Sequence, residues 1–104
     1  MTKVIVNAGA CGFTVTITAK KEKDKKIHVS LDTECEMVKK MEEDISILDL
    51  RAAFANQLNN PVYRSAAKHI KHIACPVTSG ILKAVEVEAG VALPKNVSIV
   101  FEKE

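Results

Sequence analysis

The chain has 104 residues, 47% of them hydrophobic, which suits one soluble domain spanning residues 1–104 with a single modest core. Fifteen basic residues against 13 acidic ones leave a formal net charge of +2, too balanced for a nucleic-acid-binding stripe. No apolar run reaches the ~20 residues of a membrane helix. The opening "MTKVIVNAG" also lacks a signal peptide's architecture, so the expectation is a cytoplasmic chain with reduced thiols and no nucleic-acid or membrane partner.

"KVIVN" reads as a first strand, and the turn from Gly9 to Gly12 leads out of it. "FTVTITA" then alternates strictly, with Phe13, Val15, Ile17 and Ala19 to one side and Thr14, Thr16 and Thr18 to the other. "IHVSL" repeats the pattern, with Ile27, Val29 and Leu31 inward and His28 and Ser30 outward. Between them "KKEKDKK", residues 20–26, reads as a solvated hairpin loop. These three segments predict an antiparallel meander.

Helical signals follow. Thr33 with Glu36 makes a capping box, and Met37, Val38, Met41 and Ile45 form an apolar stripe at helical spacing. "DLRAAFANQL" predicts a short helix capped by Asp49 that buries Leu50, Ala53, Phe54 and Leu58. Asn60 followed by Pro61 starts another, with Val62, Ala66, Ile70 and Ile73 inward. "CPVTSGILKAVEVEAG" predicts a last helix from Pro76 to a C′ glycine at Gly90; Gly80 in its interior marks close backbone packing. Val97, Ile99 and Phe101 alternate again and predict a final strand at 97–102. The fold class is α+β: a three- to four-stranded antiparallel sheet with three to four helices packed on one face.

The three cysteines stand at element ends. Cys11 falls in the glycine-flanked turn after the first strand, Cys35 at the second position of a predicted helix, and Cys75 at the N-cap of the last one. Helix N-termini favour an anion, and the thiolate is the form that binds metal or attacks a substrate. An odd cysteine count argues against a disulfide framework, and the absence of any C-x-x-C pair argues against a zinc ribbon or a thioredoxin site. Three soft ligands suit Zn²⁺ or an iron–sulfur cluster. A fourth position would fall to His72, water or a partner's residue. His69 and His28 are weaker candidates, the first bordering an apolar stripe and the second on the polar face of a strand.

In order and context, "GACGFTVTI", "LDTECEMV" and "IACPVTSGILKA" resemble the U-type iron–sulfur cluster assembly scaffolds over roughly residues 4–90. That family opens with a three-stranded antiparallel sheet, continues with helices, and carries one cysteine in each of these three places. The resemblance implies a scaffold- or carrier-like protein with Cys11, Cys35 and Cys75 as ligands and a cluster donor or acceptor protein as partner. This sequence departs from the family at Phe13, where an aspartate is expected, and at Ala74, where a histidine is expected.

Two other readings compete. A thiol-dependent enzyme would use Cys75 as nucleophile with His72 as base. A small interaction module would use the threonine- and serine-rich sheet face, Thr14, Thr16, Thr18 and Ser30, to pair with a partner or with a second copy as a homo-oligomer. No phosphate-binding glycine loop or catalytic carboxylate pair accompanies either; "GACG" is too short for a nucleotide loop.

Overall fold

In the computed structural model, which describes residues 1–103, the alternating segments form β1 (Thr2–Asn7), β2 (Thr14–Glu22) and β3 (Lys26–Asp32). They pair antiparallel in sequence, with Asn7 opposite Thr14 and Thr16 opposite Asp32. The predicted inward residues of β2 and β3 are buried, from Val15 to Leu31. Phe13 lies outside the strand and is exposed, so it does not share their face. The charged run is shorter as a loop than its composition suggests. Lys20, Lys21, Glu22 and Lys26 continue the strands, and only residues 23–25 turn, with Asp24 and Lys25 at φ of 62° and 59°.

The rest of the chain gives α1 (Glu36–Ile45), β4 (Ile47–Asp49), α2 (Leu50–Ala53), α3 (Pro61–His69) and α4 (Val77–Glu88). The sheet order is β1-β2-β3-β4, so β1 and β4 are its edges. α1 packs on β3, α4 lies across β1 and β2, and α3 touches both helices. The α+β architecture with a four-stranded antiparallel sheet therefore stands.

Three sequence expectations are corrected. The strand predicted at 97–102 does not form: residues 93–103 are exposed and carry no regular structure. Instead the fourth strand is β4, three residues whose brevity gives no periodic signal. α2 ends after one turn, leaving Phe54 and Leu58 exposed. The reason is Asn60, whose side-chain amide donates to the carbonyls of Ala53 (2.8 Å) and Ala55 (3.1 Å) and takes acceptors a longer helix would need. The same side chain accepts from the Val62 N–H at 2.9 Å and caps α3 as expected. α3 stops at His69 with Ile70 extended, so Ile73 is exposed and not part of the stripe.

α4 ends as the sequence predicts. Gly90, at φ 82°, donates to the Val87 carbonyl and Val91 donates to that of Glu86, the paired bonds of a Schellman motif. Near its start, Gly80 lets the helix sit close on the sheet: a methyl group built there would overlap the Val6 side chain and stand 3.2 Å from Ile17 Cδ1. Two carboxylates then complete strands where the ladder runs out. Glu88 accepts from the Lys21 N–H (2.9 Å) and the Thr2 hydroxyl (2.7 Å). Glu42 accepts from the Leu31 N–H, beyond the reach of β4. A third carboxylate, Asp44, ties α1 to α3 through Ser65 (2.8 Å) and His69 (3.1 Å).

Gly80→Ala is expected to destabilise the protein by about 1–3 kcal/mol, the overpacking cost against a stiff valine. That exceeds the ~1 kcal/mol of helix propensity the alanine adds. A denaturant titration measures the balance. The Lys21 N–H first, then the Thr2 hydroxyl, hold the Glu88 carboxyl below its ordinary range. Its contribution is therefore full above the ordinary carboxylate pKa and lost as pH falls through the lowered one. Glu88→Ala should cost about 1 kcal/mol at neutral pH, and the gap to wild type should close as unfolding is measured at pH values below about 4.

Candidate functional site

All three cysteines lie toward one end of the sheet. Cys11 sits in the β1–β2 connection, past the Asn7–Thr14 pair. Cys35 follows β3, three residues beyond Asp32, which pairs with Thr16 near the same end. α4 runs against β1, with Gly80 beside Val6 and Glu88 beside Thr2. Its N-terminus, with Cys75, therefore points toward the end where β1 leads into the Cys11 turn.

Their local settings differ. Cys11 is exposed on a turn closed by two backbone bonds, Gly12 N–H to Gly9 (2.8 Å) and Ala8 N–H to Phe13 (3.0 Å). Gly9 and Gly12 have φ of 84° and 77°, and nothing would stand within 4 Å of a side chain at either. Cys35 is only 7% exposed and belongs to the core. It is the N-cap of α1, not its second residue, and its side chain makes no capping bond. The Thr33 hydroxyl accepts from the Cys35 N–H at 3.2 Å, replacing the predicted capping box. Cys75 is half-buried against the same core cluster as Cys35. It precedes Pro76, the N-cap of α4, so it too lies one position from where the sequence put it.

The histidines have three different settings. His72 is exposed in the α3–α4 connection, and its carbonyl accepts from the Cys75 N–H at 3.4 Å. His69 is engaged by Asp44, whose carboxyl is held below its ordinary range mainly by the Ser65 hydroxyl, with His69 and Lys68 adding to it. His28 is half-buried on the uncovered sheet face and borders a shallow groove with Ser30, Lys39 and Glu42. Among the described residues, no three His, Cys, Asp or Glu side chains stand close enough to share a metal ion. The donor chemistry suits a soft metal, but the sulfurs share an end of the sheet without being gathered into a cage.

The sequence did not single out Glu42, Asp44 or Glu88, which lie in charged helical segments where nothing distinguishes a bridging carboxylate from a solvated one. No helix among the described residues is long and apolar enough to cross a membrane. No curated protein and no solved structure matches the chain. One family model matches residues 2–101, a span that includes all three cysteines and the C-terminal segment. The chain belongs to that family, described as a family of unknown function (DUF6951).

Proposed function

We propose that the protein binds Zn²⁺ or an iron–sulfur cluster through Cys11, Cys35 and Cys75, in the manner of a scaffold or carrier. The observation that supports this reading is that three cysteine-bearing element ends lie toward one end of the sheet: a turn, the start of α1 and the lead into α4. Cys35 and Cys75 already border one apolar cluster, while Cys11 stands in solvent on a turn with open space around both its glycines. Binding requires that turn to close over the other two sulfurs. His72 is the protein's candidate for a fourth ligand, and a cluster donor or acceptor is the fitting partner. A site assembled by closure of an exposed turn suits transfer more than permanent storage.

A second reading, an interaction module without thiol chemistry, is favoured by the sheet face that no helix covers, where Thr16, Thr18 and Ser30 remain half-exposed. Replacing all three cysteines by serine separates the two, since only the first reading makes function depend on them.

The test is metal, iron and acid-labile sulfide content, with an absorption spectrum, after anaerobic purification. Stoichiometric metal or cluster, lost in each of Cys11→Ser, Cys35→Ser and Cys75→Ser, is the expected result. A chain that stays metal-free and colourless after reconstitution with zinc, or with iron and sulfide, contradicts it.

A further inference from the structure

The C-terminal segment is built like a strand but lies against no strand of its own chain. Val97, Ile99 and Phe101 alternate with Ser98 and Val100, and no charge or proline interrupts residues 97–101. All four of these apolar side chains are exposed, Phe101 to 97%. No backbone hydrogen bond among the described residues involves 96–103. A short apolar run of high strand propensity, left open, is an aggregation liability that folded proteins cover.

β1 presents the complementary deficiency. It is an edge strand, so alternate N–H and C=O groups along its outer side lack a sheet neighbour. Its helix-side residues Val4 and Val6 are only partly buried, although they pack on the core. On the opposite face Ile5 is 68% exposed. A strand laid beside β1 with Val97, Ile99 and Phe101 on the helix side would continue the core past Val4 and Val6. Val100 would then fall on the same face as Ile5. Set antiparallel with Val100 opposite Ile5, residues 98–102 lie along Asn7 to Lys3, most of the six-residue strand.

We propose that residues 97–102 add as a fifth strand to the free edge of β1 in a second copy of the chain, the two copies exchanging C-terminal segments about a twofold axis. The direction of α4 favours a second copy over the chain's own edge. Because Glu88 sits beside Thr2, a segment returning to its own β1 must reverse within residues 89–96 and then run parallel to it. Parallel pairing is the slightly weaker arrangement. Instead the segment stays clear of the body, and the molecule extends 49 Å along one axis against 28 and 25 Å along the others. A partner's edge accepts such a segment without that reversal, and the exchange covers both apolar runs at once.

The test is sedimentation equilibrium of the full chain in reducing, metal-chelating buffer, which removes any contribution from the thiols. A dimer is expected. Ile99→Pro, which removes a strand N–H from the exposed segment, and Ile5→Lys, which charges the receiving edge, should each return the monomer mass. Far-UV circular dichroism of the Ile99→Pro variant should still report a folded body. In a mixed sample of isotope-labelled and unlabelled wild-type chains, filtered NOEs should connect Val100 to Ile5 between copies. A monomeric wild-type chain, a dimer that survives both substitutions, or contacts confined within one chain overturns the proposal.

Discussion

The close seating of α4 on β1 and β2 governs the arrangement. It depends on Gly80, because the helix backbone meets Val6 and Ile17 with no side chain between them. A sheet with one apolar face needs a cover, and at this separation one twelve-residue helix reaches both β1 and β2. The orientation that results carries Cys75 toward the end of the sheet with the β1–β2 turn and Glu88 to the start of β1. It also fixes where the chain leaves the body after Gly90, and so where the C-terminal segment begins.

Strand edges are the second organising feature. β1 starts opposite Ala19, β4 reaches only Ile47 opposite His28, and both leave N–H groups of longer neighbours unpaired. At Lys21 and Leu31 a glutamate from a covering helix supplies the acceptor. The Val29 N–H finds the Ser46 carbonyl at 2.8 Å, just past α1. These bonds tie helix position to sheet register, since a shift of either helix would strand a backbone donor. Among the described residues, no buried side-chain nitrogen or oxygen lacks a partner.

What the sequence revealed follows from how local the cause is. Alternation in β2 and β3, the Asn60–Pro61 start of α3 and the Gly90 stop of α4 are local devices, and each was readable. α2 is short because of Asn60, which captures carbonyls five and seven residues behind it, a contact that propensity does not register. β4 is a strand only because β3 is there to pair with it. The segment at 97–102 has the right pattern but pairs with no edge of its own chain, and a strand without a neighbour leaves its backbone bonds to water. The cysteines were readable as occupants of element ends. That Cys35 turns into the core while Cys11 faces solvent depends on packing, which spacing does not encode.

The thiol account therefore rests on a movement: the Cys11 turn must close toward Cys35 and Cys75, which belong to or pack against the same core cluster. Its most direct test is alkylation of each cysteine, followed by mass spectrometry, as Zn²⁺ is titrated into the reduced, anaerobic chain. A single shared site predicts that Cys11, the exposed thiol, is protected together with Cys35 and Cys75 and at the same zinc stoichiometry. Unchanged reactivity of Cys11 while zinc is in excess, or protection of one cysteine alone, would contradict a common site.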